Sequence, residues 1–263
     1  GVLTDQAKYI NLLGTETSWT DVMFDGGAIQ NYSLSAMGGN DKTKFAVSGS
    51  YLSDDGVLLT DNYTKMNLRV NIDTKVNKVI EFGANINPSY TSQRQFPIGV
   101  HDAVRQSPWL PEYIDANSYQ YVNHTKYPLV HIGDYAYETY FDGYILPGNT
   151  TGTTINTTTN ESPLAKVLER NFHTYDFKLF SNAYMKLNLA NGLSFRASVA
   201  ADYINIQNEQ WVGTKLLKGS AGSSSYYSDN VLTHLVSENI LNYNRDFGKH
   251  SLNAVAGLAW EKW

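Results

Sequence analysis

Apolar and polar residues alternate along this 263-residue chain in long runs, each of which passes through a short turn and then alternates again. A period of two places every second side chain on one face of a β-strand, so each run has one apolar and one polar face. The clearest case is Met66 to Asp73. There Met66, Leu68, Val70 and Ile72 point one way, and Asn67, Arg69, Asn71 and Asp73 point the other. The pattern predicts four strand pairs: 28–37 with 43–52, 64–74 with 80–90, 174–189 with 193–203, and 235–247 with 249–263. The seventh run is the least regular, because Val236 and Ile240 fall out of phase with Leu241 and Tyr243.

Several runs are ten to sixteen residues long, whereas strands of soluble sheets average about five or six. About ten tilted residues cross a bilayer. Connections alternate between brief (Gly38-Gly39-Asn40-Asp41-Lys42, Lys75-Val76-Asn77-Lys78, Asn191-Gly192, Asp246-Phe247-Gly248-Lys249) and extended. Asn-Gly is a strong hairpin signal. Residues 1–26, about 92–170 and about 205–233 read as loops, the second holding most of the prolines and the polar tract Asn149 to Asn160. A loop of that length is foreign to a compact soluble domain, where connections rarely exceed about 15 residues. Short turns on one side and long loops on the other are the habit of transmembrane barrels. The expected fold is therefore all-β, a transmembrane antiparallel β-barrel wall.

Composition agrees by exclusion. With 42% hydrophobic and 17% charged residues the chain is too apolar to be disordered. A net charge of −5 without a basic patch argues against nucleic acid as a partner. No apolar stretch approaches about 18 residues, so a helical span is excluded, yet the mean hydropathy of −0.36 is compatible with barrel strands, whose two faces average out. Cysteine is absent, which removes disulfides and thiolate metal sites. The opening Gly1-Val2-Leu3-Thr4-Asp5 has no signal-peptide character, so the chain reads as mature, truncated or internal.

Candidate chemistry is sparse. His101-Asp102 and His131-Ile132-Gly133-Asp134 are the best metal-ligand candidates, but neither has the spacing of a zinc or calcium site. They read as solvated loop residues, and no nucleophile elbow points to a hydrolase. No catalytic residue, cofactor or metal is expected. The 19 tyrosines are more informative. Tyr119, Tyr121, Tyr135, Tyr137, Tyr140, Tyr144, Tyr226 and Tyr227 cluster in the long loops, where they serve equally well to contact substrate or a partner by stacking, or to fold the loops onto themselves. Trp109, Trp211, Trp260 and Trp263 are expected in the interfacial aromatic belt. Arg69, Lys178, Lys186 and Arg196 lie on polar strand faces and are expected to face the lumen.

The order and spacing of several segments go further. Ser18-Trp19-Thr20-Asp21, Gly26-Gly27-Ala28-Ile29-Gln30-Asn31-Tyr32, Gly38-Gly39-Asn40-Asp41, Lys44-Phe45-Ala46-Val47-Ser48-Gly49-Ser50-Tyr51, Asn67-Leu68-Arg69-Val70-Asn71-Ile72-Asp73 and Gly83-Ala84-Asn85-Ile86-Asn87-Pro88 resemble the start of the barrel in SusC/RagA-type TonB-linked outer-membrane proteins. Ser162-Pro163-Leu164-Ala165, Ser181-Asn182-Ala183-Tyr184, Gly192-Leu193-Ser194-Phe195-Arg196 and Leu252-Asn253-Ala254-Val255-Ala256-Gly257 with Trp260-Glu261 look similar to later barrel segments.

The resemblance implies an importer of the Gram-negative outer membrane with a roughly 22-stranded barrel. It also implies a plug in the lumen, a SusD-like surface lipoprotein as lid, drive from TonB, and oligosaccharide or peptide cargo. Residues 1–263 would then be a partial barrel domain. The plug would precede Gly1, the remaining strands would follow Trp263, and the neighbouring strands would pair with residues 28–37 and 249–263. Two other readings stay open: a complete small eight-stranded outer-membrane barrel acting as anchor or adhesin, and a soluble carbohydrate-binding β-sandwich.

Overall fold

The computed structural model describes residues 2–141, 162–215 and 222–263. Its framework is one antiparallel sheet in which eight strands follow one another in chain order. They are β1 (Ala28–Gly39), β2 (Thr43–Asp55), β3 (Asn62–Lys75), β4 (Ile80–Gln95), β5 (Arg170–Ala190), β6 (Leu193–Val212), β7 (Ser224–Phe247) and β8 (His250–Lys262). β8 pairs only with β7 and β1 only with β2, so the sheet is open. A complete eight-stranded barrel would join those two edges, and a sandwich would need a second sheet. Among the described residues neither exists.

Each short turn has a local cause. In the first, the Asn40 side chain accepts the amides of Lys42 and Thr43 at 2.8 and 2.9 Å; in the second, Asn77 accepts those of Val79 and Ile80, both at 2.8 Å. Asparagine thereby closes both turns with its own carbonyl in place of a backbone acceptor. At Asn191-Gly192 only the glycine takes a left-handed conformation (φ 82°), and the register slips between Asn188 and Ala190. The hairpin expected there thus forms with a bulge rather than as a two-residue turn that is left-handed at both positions. Glycine is required twice over, since a Cβ on Gly192 would also meet the Asn244 carbonyl.

Register fixes the tilt. Ladder partners connect Gly39, the last residue of β1, through Lys44, Asp73, Gly83, Tyr184 and Ser198 to Glu238 on β7. β7 continues nine residues further, to Phe247, before its own short turn. If the short turns share one plane, a slip of about 30 Å over six strand steps of about 4.8 Å each means that the strands lean by about 45°. Barrel walls lean by about 35–45°.

The two faces separate cleanly, because directly opposed residues share a side. One ladder of partners runs Gly49, Leu68 and then Val70, Ile86, with Phe82 opposite Met185 and Leu187 opposite Phe195. Leu68 and Ile86 are each 44% exposed, and the buried core contains neither of them. Aromatic residues rim this face. Phe45, Phe82, Phe195 and Tyr243 lie near the short turns, and Tyr32, Tyr51, Tyr90, Tyr203 and Trp260 lie toward the other side. Phe82 to Tyr90 and Phe195 to Tyr203 are each eight residues, about 19 Å along the axis at this tilt. That is comparable to the about 25 Å apolar band of an outer-membrane barrel. A continuous apolar face of this size is stable only against hydrocarbon or another apolar surface.

β7 breaks the pattern. Its register places Ser237 and Asn239 beside Trp260 and Leu258 on the apolar face, and Val236 and Ile240 beside Ala200 and Arg196 on the polar one. The uneven alternation in its sequence is a true property of the strand.

The outer ends depart most from expectation. β6 runs to Val212 and β7 begins at Ser224, so most of the segment read as a loop over 205–233 is strand that stands above the apolar band. With water on both sides, such strand has no reason to alternate. Residues 1–26 and 92–170 were also expected to be loop. Instead the described residues among them, outside the ends of β4 and β5, fold together into a cap built from α1 (Val2–Leu13), α2 (Trp19–Met23), α3 (Val100–Val104), α4 (Ala116–Tyr119), a 3₁₀ turn (Glu138–Phe141) and α5 (Pro163–Leu168). Ser162-Pro163-Leu164-Ala165 therefore starts a helix, not a strand. The Ser162 hydroxyl accepts the Ala165 amide at 3.4 Å, and proline occupies the first turn, where its missing N–H costs nothing.

The cap owns the hydrophobic core. Tyr9, Leu13, Trp19, Met23, Trp109, Leu110, Ile114, Phe141, Leu164 and Val167 are all buried there. Trp109 packs between Tyr9 (centroids 5.3 Å) and Phe141 (5.8 Å, edge-on), and the Trp19 indole donates to the Ser107 carbonyl at 3.0 Å. Trp109 is thus 1% exposed inside the cap and has no place in the membrane belt. Trp211 lies eight residues beyond Tyr203 on β6, above the belt, and Trp263 stacks on His234 on the polar side. Of the four tryptophans expected in the belt, Trp260 alone is at its level.

Two substitutions separate wall from cap. Leu68→Arg puts a cation on the apolar face near mid-height, at a cost of about 2–4 kcal/mol. It should cut the folded, heat-modifiable fraction in detergent, whereas Asn67→Arg on the opposite face should not. Trp109→Ala should cost the cap about 3–5 kcal/mol and expose residues 100–141 to protease while leaving heat-modifiability of the wall intact.

Candidate functional site

The polar face of the wall carries serine and asparagine in rows, with charged residues among them. A cleft of about 580 Å³ opens on it, lined by Ser33, Ser35, Ser48, Ser50, Asn67, Arg69, Asn87, Ser89 and Phe180, among others. A second, of about 650 Å³, lies nearer the short turns beside Lys44, Asp73, Lys75, Glu81 and Tyr184. Both open on the polar side, the side that the alternation in the sequence assigns to the lumen of a closed barrel.

Arg69, Lys178, Lys186 and Arg196 all sit on this face, as their phase in the sequence requires. Lys178 pairs with Asp176 at 2.6 Å, and Lys186 lies 3.8 Å from Glu81, which also accepts from Asn188 at 3.2 Å. Arg196 lies over the Tyr184 ring, 4.1 Å from its centroid, and the Tyr184 hydroxyl donates to Asp73 at 2.6 Å. Tyr184 reaches Asp73 by crossing β4 at Gly83, where a Cβ would collide with both side chains. One missing side chain thus lets four strands share a network that lies flat against the wall. Sequence reading placed Asp73 and Arg196 on the polar face but gave Tyr184 no role and missed this strap, whose members lie up to 123 positions apart.

The tyrosines divide by place. Tyr137 is 3% exposed in the cap, and its hydroxyl donates to the Lys215 carbonyl. Tyr119, Tyr121, Tyr135 and Tyr140 are half-buried against the same core. Tyr140 packs on Tyr127 and Tyr137 at 5.1 and 5.0 Å, and Tyr135 stacks on Tyr113 at 5.4 Å. Tyr226 and Tyr227 are both 58% exposed at the outer end of β7, where neighbouring residues project to opposite faces. Tyr144 and the tract Asn149 to Asn160 lie outside the described residues.

Each histidine candidate stands beside one aspartate. His101 lies 3.8 Å from Asp102, which also pairs with Arg105, and His131 lies 3.8 Å from Asp134. Among the described residues no group of three or more metal-ligating side chains converges.

Ionisation in the cap follows from its packing. Burial pushes the Tyr135 phenol up to about 12, helped by the Glu169 carboxylate, whose oxygen accepts its hydroxyl at 3.3 Å. Burial and the nearby Asp134 push Tyr140 up to about 12 as well. At Asp115 burial opposes the charge, but the Ser118 hydroxyl and amide outweigh it and hold the carboxyl below its ordinary value. Asp115 and Ser118 cap α4 reciprocally.

A phenol raised in the folded state stabilises the fold fully below its unfolded pKa of about 10 and loses that contribution as pH climbs toward the folded value. The cap is therefore expected to loosen between about pH 10 and pH 12, read as protease sensitivity of residues 100–141, and Tyr135→Phe with Tyr140→Phe should move that onset upward.

Curated relatives match the chain over 94% and 93% of its length. It is 26% identical over 254 residues to TonB-dependent receptor P3 of Formosa agariphila, an alignment covering 94% of this chain and 23% of the receptor. It is 20% identical over 249 residues to TonB-dependent receptor P26 of the same organism, covering 93% and 22%. The chain thus spans less than a quarter of the length of these receptors. No family model matches it. In structure it is similar to a chain of the RagAB peptide transporter, with TM-score 0.63 and 17% identity over 94% of this chain and 26% of the other. The closed-closed state of the RagAB peptide importer gives TM-score 0.61, covering 92% and 25%. Sequence relatives and fold thus agree with the resemblance drawn from residues 19–90: the chain is similar to TonB-dependent receptors over more than nine-tenths of its length, and its fold is an open arc of eight antiparallel strands that matches part of a TonB-dependent transporter barrel wall.

Proposed function

We propose that this wall is part of an outer-membrane importer that takes up a bulky nutrient with energy delivered through TonB. The observation that carries the reading is the combination of an apolar outer face, a polar inner face bearing two clefts, and likeness to TonB-dependent receptors along nearly the full chain. The remaining strands and a plug would complete and fill the lumen, and a SusD-like lipoprotein would close it from outside. Within that assembly the cap is the natural seat for the lid, because it gathers the N-terminal segment and residues 96–141 and 162–169 at the outer end of the wall. Tyr226 and Tyr227 are the tyrosines we assign to cargo or lid contact, since their rings are free to stack. Oligosaccharide and peptide are the two cargo classes, and RagAB favours the second only for itself.

Two measurements test this. Cells lacking the full-length protein should lose uptake of either fluorescent oligosaccharides or fluorescent peptides, and affinity purification of the intact protein should bring down a surface lipoprotein. Unchanged uptake of both classes together with no lipoprotein would overturn the proposal. Tyr226→Ala with Tyr227→Ala should weaken cargo or lid binding by about threefold to tenfold, the worth of one or two aromatic contacts.

A further inference from the structure

His234 is held on three sides on the lumen face of β7. Its Nε2 lies 2.7 Å from Glu261 on β8, and its Nδ1 lies 3.3 Å from Asp202 on β6. The Trp263 ring stacks on the imidazole with centroids 3.9 Å apart and planes 14° from parallel. The side chain is only 16% exposed, although Asp202 and Glu261 are open to solvent at 37% and 52%. No other charged side chain is within ion-pairing distance of the imidazole among the described residues.

Geometry settles the proton count. A neutral imidazole donates from one nitrogen only, so it satisfies one carboxylate and turns a lone pair toward the other. With protons on both nitrogens it donates to both, and the indole face adds a cation–π contact. The two carboxylates flank opposite sides of the ring, so they cannot converge with it on one metal ion.

His234 also stands in a telling place. It lies 13 residues before the end of β7, about 30 Å above the short turns at the tilt derived above. That is above an apolar band of about 25 Å, so the group meets the external medium rather than the hydrocarbon.

We propose that His234 is a proton-operated clasp that ties β8 at Glu261 and Trp263 to β7 and β6 in acidic medium and releases it as the medium becomes alkaline. When the proton leaves, one of the two carboxylates loses its donor and the indole loses its cation. Val236, opposite Glu261 in the ladder, and Leu232 on the same face offer no substitute donor from their side chains. The backbone ladder of β7 and β8 continues regardless, so release means local loosening around Glu261 and Trp263 and not loss of the strand.

Hydrogen–deuterium exchange of the detergent-solubilised full-length protein tests this, read on the peptide covering residues 256–263 at matched pH against His234→Gln. The variant keeps an amide donor at that position but cannot titrate. At about pH 5.5 the native peptide should exchange about tenfold more slowly than the variant, and the difference should vanish by about pH 9. A difference that is constant across this range, or no difference at any pH, would overturn the clasp. If His234→Gln does not assemble, Glu261→Gln serves instead: it removes one charged arm, and the same pH-dependent step should shrink. An undiminished step would count equally against the proposal.

Discussion

The ladder of backbone hydrogen bonds from strand to strand governs everything else here. Inside hydrocarbon no water replaces a missing partner, so each N–H and C=O must find one in a neighbouring strand. β2 to β7 satisfy that condition on both sides, and β1 and β8 on one side each. The constraint makes the register strict, and a strict register decides which side chains meet lipid and which meet the lumen. It also lets the tilt be read from the offset between hairpins. An open arc of this kind is stable in a membrane only when further strands cover its two edges.

Energetically the chain is two objects. The wall has no interior of its own, and its large apolar residues lie on a face that the protein leaves uncovered. The cap is an ordinary small hydrophobic core, centred on Trp109, Leu110 and Phe141 and closed by the indole of Trp19. Hydrocarbon stabilises the first and exclusion of water stabilises the second. The Gly83 strap and the His234 cluster belong to a third environment, the wet lumen face, where hydrogen bonds and charge set the arrangement.

How far the sequence reached depended on range. The hairpins, the apolar and polar faces, the placement of Arg69, Lys178, Lys186 and Arg196, and the likeness of residues 19–90 to a known barrel all rest on neighbours or fixed short spacings. What failed was nonlocal or outside the membrane. The cap read as loop because its core joins Tyr9 to Trp109 and Trp19 to Ser107, pairs that no local period connects. The outer halves of β6 and β7 read as loop because strand with water on both faces has no cause to alternate. Trp109 was expected at the membrane because an isolated tryptophan in a loop gives no hint of the partners that bury it.

By itself, then, the sequence determined the strands, their facing and their short turns, since a two-residue period, an asparagine that captures the amides after it, and a glycine that accepts a left-handed backbone are all local physics. Tertiary structure decided the bulge at Asn188 and Ala190, the strap of Tyr184 across Gly83, the burial of the cap tyrosines, and the meeting of His234 with Asp202 and Glu261. Those depend on which residues the ladder and the cap bring together from distant parts of the chain, and a contact between distant residues leaves no mark in either one's sequence neighbourhood.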